Sequence, residues 1–310
     1  MPPRLGMIAD DLTGACDAGV QFQSAGLPAV VCLEFRDQAA GMTVLTTDSR
    51  ADSPDTAASK VREACHWLER QGIELVYKKI DSTLCGNVAA EVEAALAASG
   101  REEAWVCPAF PAMGRTVSGG WLLVNGVPRA RVPAGPRVQS FDAVCDEDLA
   151  RIVERALGAT PPPLLAGSAG LAAQLARKVR PGAGRVDEPV RAGRVVVCAG
   201  SANPVTAAQL ERLKRERPSV EIISINWDDR DVAALADRLP GALVLTGGDT
   251  ARRVCGLLKA RAIRLQRELL PGIPVGRLIG GEADGVLVVT KAGGFGDEDA
   301  LLRVMEGLES

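Results

Sequence analysis

Histidine is almost missing from this chain: 310 residues hold one, His66. It lies in the helical run TAASKVREACHWLERQG (56–72), where a surface or boundary position is expected. A lone histidine with no clustered partners argues against a Ser-His-Asp triad and against a histidine metal site. Aromatic residues make up 3%, with a single tyrosine, so the cores must be built mainly from Ala, Val, Leu and Ile. The eight cysteines (16, 32, 65, 85, 107, 145, 198 and 255) form no C-x-x-C pair. Buried free thiols are the better reading, which sets aside a zinc site or a disulfide framework. No run approaches the roughly 18 apolar residues of a membrane span. The opening MPPRLGMIADD has no signal-peptide core, because acids arrive at Asp10 and Asp11. A soluble, cytoplasmic protein is expected. A formal charge of −3 gives no general electrostatic reason to bind nucleic acid or an anionic membrane.

What is present is an alternation of short apolar runs with helical patterns. It predicts an α/β chain of two domains, each a mostly parallel sheet flanked by helices. Strands are expected near RLGMIAD, AVVCLEF, MTVLTTD, ELVYKKID and AWVCPAF, then VVVCAG, EIISIN, ALVLTG and GVLVVTK. Helices are expected near 14–25, 54–71, 87–99, 146–157, 168–179, 204–216, 231–238 and 250–259. The last begins near Glu298 with Asp297 as N-cap. RPGAGRVDEPVRAG (180–193) mixes Pro, Gly and charge without apolar periodicity and is the best linker, dividing the chain into 1–185 and 186–310. The Pro/Arg-rich VPRARVPAGPRVQS (127–140) reads as a surface or cleft loop. Alanine-rich helices could also pack two copies into a homodimer.

Three strand-turn-helix joints in the second half share one character. LVLTGGDTARRVCGLL (243–258) carries Gly247, Gly248, Asp249 and Thr250; TKAGGFG (290–296) carries Lys291, Gly293, Gly294 and Gly296; VCAGSANP (197–204) carries Gly200 and Ser201. Such turns aim backbone N–H groups and a helix N-terminus at one place, where a phosphate can sit. Each alone could be only a tight connection. Together, at the carboxyl ends of strands, they favour a nucleotide site.

The first half carries acid, base and hydroxyl clusters. In IADDLTGACDAG (8–19) Asp10 and Asp11 follow a strand, placed for general-base work or Mg²⁺ binding, or for capping the next helix. The D-x-D-x-T motif of haloacid-dehalogenase-type phosphatases fails here, since Ala9 stands where its nucleophile would be. In YKKIDSTLCGN (77–87) Lys78, Lys79, Asp81, Ser82 and Thr83 could hold a carboxylate or polyol, or Lys and Asp81 could form a structural ion pair. Arg115 follows Gly114 on a loop, where its fork could grip a carboxylate or simply be solvated.

Together these motifs resemble the four-carbon acid sugar kinases. The resemblance rests on IADDLTGA (8–15), KKIDSTL (78–84) with GN (86–87), PAFP (108–111), GRT (114–116), VNGVP (124–128), GSAGLA (167–172), TGGDTA (246–251), PGIPVG (271–276) and TKAGGFGDEDAL (290–301). It covers nearly the whole chain in order. It implies an N-terminal domain for the sugar acid, a C-terminal domain for ATP with Mg²⁺, and reaction in a cleft between them. The acid-side residues it implies are Asp10, Asp11, Lys79, Asp81, Ser82 and Arg115. On the nucleotide side it implies Gly200, Ser201, Gly247, Gly248, Asp249, Thr250, Lys291, Gly293, Gly294 and Gly296. Two departures stand out: the family pattern DSTLRGN has its arginine replaced here by Cys85, and the segment between VNGVP and FDAVCDEDLARI (141–152) is short.

The activity implied is ATP-dependent phosphorylation of a terminal hydroxyl on a small sugar acid, with Asp10, Asp11 or Asp81 as base or metal contact. A rival is a noncatalytic descendant keeping the nucleotide domain, motivated by Cys85 and the short segment. An NAD-dependent enzyme fits poorly, because KAGGFG is not a G-x-G-x-x-G turn after the first strand.

Overall fold

The computed structural model describes residues 4–35, 41–180, 190–224, 235 and 238–309. The chain forms two compact units, Met1–Ala29 with Gln38–Arg185, and Val30–Asp37 with Val186–Ser310. The stretch Val30–Asp37 therefore belongs to the second unit, although the sequence reading gave it to the first. The linker expected at 180–193 and the helix expected at 231–238 lie mostly outside the described residues.

In the first unit β1 (Leu5–Ala9), β3 (Met42–Thr46), β4 (Leu75–Lys79), β5 (Ala104–Cys107), β9 (Val138–Ser140) and β10 (Leu164–Gly167) pair in the order β3-β1-β4-β10-β5-β9. All these pairings are parallel. Every residue of β1 is buried, as a strand covered on both faces requires. The helices pack in two groups, α1 (Leu12–Ser24) and α4 (Asp146–Gly158) on α5 (Ala169–Val179), and α2 (Pro54–Arg70) on α3 (Val88–Ala98). Helix α2 starts where Ser53 accepts from the Thr56 N–H and Pro54 fills the first turn. The register aligns Ala9, Thr46, Lys79, Gly167 and Cys107 at one edge, so the residues that follow them emerge together.

The second unit has β2 (Ala29–Cys32), β11 (Val195–Ala199), β12 (Glu221–Ser224), β13 (Ala242–Thr246), β14 (Ala262–Leu270), β15 (Ile273–Ile279) and β16 (Leu287–Lys291), ordered β12-β11-β13-β16-β15-β14-β2. The first four are parallel, and β15 and β14 run antiparallel to their neighbours. Helices α6 (Pro204–Glu216), α7 (Gly248–Leu257) and α8 (Ala300–Glu309) also belong to it. Val197, Val244, Val289, Val275, Leu301 and Val304 are among the residues of its apolar core.

Three expectations change. The 127–140 stretch is not a plain loop: β8 (Val127–Arg131) closes a three-stranded antiparallel sheet with β6 (Arg115–Ser118) and β7 (Trp121–Val124), and β9 joins the parallel sheet. Gly119-Gly120 and Asn125-Gly126 all take positive φ and make the tight reversals. The hairpin β14–β15 was not anticipated. The last helix starts at Ala300 rather than Glu298, although Asp297 still accepts from the Asp299 N–H. His66 is exposed, and none of the eight cysteines is in a disulfide, six of them being buried.

Candidate functional site

The aligned strand ends of the first unit bring its chemistry together. Asp10 and Asp11 leave β1, and Lys79 ends β4, with Asp81, Ser82 and Thr83 in the turn beyond. Asp11 is the N-cap of α1: Oδ1 accepts from the Gly14 N–H at 3.0 Å and Oδ2 from the Thr13 hydroxyl at 2.6 Å. A Cβ at Gly14 would stand 2.5 Å from Asp11 Oδ1 and 2.7 Å from Lys79 Nζ, so any larger residue must push those charged groups aside. Asp81 Oδ2 accepts from the Thr83 N–H, the Thr83 hydroxyl and the Cys85 N–H.

One residue that the sequence reading passed over ties the cluster together. Arg50, on the loop after β3, donates from Nε to Asp10 Oδ2 at 2.7 Å and from Nη2 to Asp10 Oδ1 at 3.0 Å and Asp11 Oδ1 at 2.8 Å. It also lies 3.6 Å from Asp81 Oδ1. Its only sequence signal is one cation in a polar loop, TTDSRADS, which looks like an ordinary solvated residue.

The three carboxylates do not behave alike. Burial raises the Asp11 carboxyl above the usual range; Arg50 opposes this and the neighbouring Asp10 charge adds to it. Burial alone would raise Asp81 as well, but Arg50, Lys79 and the Thr83 hydrogen bonds bring it below the usual range. Burial likewise works against the charged form of Arg50, but Asp11 and Asp10 hold its guanidinium firmly protonated. Ser82 is buried in the same turn. Half-buried Arg115 donates to the Met113 carbonyl; burial lowers its pKa and the charge of Asp81 works the other way. Cys85 is exposed beside this cluster.

In the second unit Ala199, Thr246 and Lys291 are in register, and the three glycine-bearing turns follow them directly. Ser201 sits among them. A Cβ on Gly293 would lie 2.3 Å from Ser201 Oγ, and one on Gly247 would lie 3.2 Å from Ser201 Cβ. Gly247 takes φ +94° at the start of α7, and its N–H donates to the Lys291 carbonyl at 2.8 Å. Gly200 precedes Ser201 in the first turn, and Gly294 and Gly296 continue the third. Thr250 is buried in the first turn of α7, and Asp249 beside it is exposed. From α6, the Thr206 hydroxyl donates to the Gly293 carbonyl, and Gln209 Nε2 donates to the carbonyls of Phe295 and Asp297. Lys291 is fully buried, its ammonium donating to the carbonyls of Ala292 and Gly293. Burial pulls its pKa down to about 8.

Glycine turns packed together at the ends of parallel strands, one of them opening a helix, are an arrangement that can receive a phosphate group. Among the described residues no group of three acidic, histidine or cysteine side chains is arranged to hold a metal ion. No described helix is long and apolar enough to cross a membrane.

Residues 5–134 match the family described as a sugar-binding N-terminal domain, and residues 230–301 match a nucleotide-binding C-terminal domain. The chain is 31% identical to the D-threonate kinase of Bordetella bronchiseptica, over 99% of this chain and 98% of that one. It belongs to the four-carbon acid sugar kinase family. A second family member, the 3-oxo-tetronate kinase of Pseudomonas fluorescens, is 27% identical over 98% of this chain and 96% of its own. The alignment with the first relative runs to 404 positions against 310 residues here, so that member carries segments with no counterpart in this chain. A crystal structure from Salmonella typhimurium LT2 shares the fold, with a TM-score of 0.77 at 22% identity, covering 99% of this chain and 100% of that one.

Proposed function

We propose that this chain is an ATP-dependent kinase that phosphorylates a terminal hydroxyl of a four-carbon sugar acid in the cytoplasm. The observation that carries the reading is the pairing, in one chain, of a buried aspartate–arginine cluster with glycine turns packed together at the ends of parallel strands. The relatives named D-threonate kinase and 3-oxo-tetronate kinase support the substrate class.

Hydrogen-bond accounting separates the aspartates. Asp11 spends its oxygens on Thr13, Gly14 and Arg50, and Asp81 gives Oδ2 to three donors. Asp10 receives one bond from Arg50 on each oxygen and, among the described residues, none from the backbone. Asp11 also caps α1 and Asp81 caps its own turn, whereas Asp10 is held by Arg50 alone; Asp10 is the carboxylate we assign to accept the substrate hydroxyl proton, with Asp11 and Asp81 fixing Arg50 and the adjoining turn. Lys79, Ser82 and Arg115 hold the acid's carboxylate and hydroxyls. The amides around Gly200, Ser201, Gly247, Gly248, Gly293, Gly294 and Gly296, with Thr250 and the Lys291 ammonium, hold the phosphates. Asp249 is the exposed carboxylate available to the Mg²⁺ that accompanies them. Bound Mg²⁺ neutralises phosphate charge and leaves the γ-phosphoryl group open to in-line attack.

The test is Asp10→Asn. Acid-dependent ADP formation should vanish while calorimetry still shows ATP binding; undiminished turnover would remove Asp10 from the mechanism. A noncatalytic role is the second reading, favoured by the uncharged Cys85. Tight ATP binding with no product from any tetronate tried would establish it.

A further inference from the structure

Beneath the aspartate–arginine cluster lies a second, fully buried pair that the mechanism does not use. Lys78 and Lys79 are consecutive on β4 and so point to opposite faces of the sheet. Lys78 Nζ lies 2.8 Å from Glu91 Oε2 and donates to the carbonyls of Lys79 at 2.7 Å and Ile8 at 3.4 Å. Both side chains are almost fully sealed from solvent, at 0% and 2% exposure. The other oxygen of Glu91 accepts from the Ser49 hydroxyl at 2.7 Å. Ser49 is 2.7 Å from the Thr47 hydroxyl, which donates to the Ala9 carbonyl at 3.0 Å. The Ser49 N–H donates to the Asp10 carbonyl at 3.0 Å. One turn earlier on α3, Asn87 Nδ2 donates to the carbonyls of Ser49 and Asp52.

These bonds end on the backbone of Ile8, Ala9, Asp10, Ser49, Asp52 and Lys79. Ala9, Asp10, Ser49 and Lys79 each bear or adjoin a side chain of the cluster above. We propose that Glu91, neutralised by Lys78, is a positioning residue: through Ser49 it clamps the loop after β3 so that the Arg50 fork stays on Asp10 and Asp11. A buried ion pair contributes little net stability of its own, and its best-attested use is to fix one arrangement among several. The clamp matters because a shift of about 1 Å in a reacting group can cost up to ~10²-fold in rate. The proposal deepens the kinase reading and rests on it.

Glu91→Gln alone would strand the Lys78 ammonium in the core and could fail to fold. The decisive variants are Ser49→Ala, Ser49→Thr and the double Lys78→Met/Glu91→Gln. Ser49→Ala cuts the clamp but keeps the ion pair. We expect its KM for the acid to rise about tenfold with KM for ATP unchanged, and kcat to fall by about a few-fold, together less than the loss from removing Arg50 itself. Ser49→Thr restores the hydroxyl and should recover most of both. The double variant loses both charges yet keeps an acceptor for Ser49, so its KM for the acid should stay within about threefold of wild type. A crystal structure of Ser49→Ala should show the Arg50 fork displaced from Asp10 and Asp11. A purely structural role predicts instead a smaller folded fraction, with the acid KM of the folded enzyme and the Arg50 geometry unchanged; that result overturns the proposal. If the wild type phosphorylates no sugar acid, the kinase reading falls, while the Arg50 displacement still decides the clamp.

Discussion

Arg50 grips Asp10 with both sides of its fork, Nε to Oδ2 at 2.7 Å and Nη2 to Oδ1 at 3.0 Å, across forty residues of chain. Nothing else among the described contacts of Asp10 offsets its buried charge so directly. Arg50→Ala should therefore lower kcat/KM for the acid by about 10²-fold, which is roughly 2.7 kcal/mol of transition-state stabilisation. Arg50→Lys should recover only part of this, because an ammonium cannot donate along two parallel lines. Steady-state kinetics with varied acid at saturating ATP reads the effect. Unchanged constants in Arg50→Ala would show that the fork plays no part in turnover.

Gly14→Ala places a methyl group 2.5 Å from Asp11 Oδ1 and 2.7 Å from Lys79 Nζ. We expect a loss of about 10²-fold in kcat, the cost of misplacing charged groups by an ångström, with little change in the circular dichroism spectrum. Gly256→Ala is the matching control. It sits in α7 with no neighbouring atom within 4 Å of a new Cβ, and should stabilise the protein by about 0.4–1 kcal/mol in denaturant titration.

Lys291 is expected to couple nucleotide binding to pH. Burial lowers its pKa from 10.5 to about 8, so the charged form opposes folding. That penalty is complete below pH 8 and fades as pH rises from 8 toward 10.5, giving a stability increase with pH over this window from this group. Bound phosphate favours the ammonium and should draw a proton onto Lys291 above pH 8. ATP titrations at pH 8.5 in two buffers of different ionisation enthalpy should reveal proton uptake that Lys291→Met abolishes. The same variant should bind ATP more weakly yet melt at a higher temperature. Equal proton uptake in both proteins would clear Lys291 of this role.

Cys85 faces solvent beside a cluster whose charges largely cancel: Asp10, Asp11 and Asp81 against Arg50, Lys79 and Arg115. Cys85→Arg adds one uncompensated cation. A new charge-assisted contact contributes about 1.5–3 kcal/mol, so KM for an acidic substrate should fall by ~10–100-fold. A neutral tetritol of the same length is the comparison, and its KM should not change. Equal changes for both compounds would mean that the arginine acts on something other than the carboxylate.

The parallel strands were legible because each is a short apolar run with both faces covered, as in Leu5–Ala9 and Val195–Ala199. The hairpin β14–β15 was not, since Arg264, Arg267, Glu268 and Arg277 interrupt its apolar pattern and its sides see different surroundings. The aspartates, Lys79 and the glycine turns could be picked out locally, because each follows a strand end directly. Arg50 could not: its partners lie about forty residues upstream and thirty downstream, and only the parallel register brings the loop after β3 beside the end of β1. Glu91 was hidden for a related reason. An acid in the first turn of a helix already has an ordinary explanation in the helix dipole, and only the fold reveals the lysine beneath it.

Because Val30–Cys32 pairs with Ala262–Arg264, the two units are not simply consecutive in the gene. A fragment ending at residue 185 would carry away a strand that the other portion needs, exposing a bare ladder edge prone to aggregation. Separate expression of the portions thus calls for a circularly rearranged gene that keeps this strand with its ladder neighbour, rather than one cut.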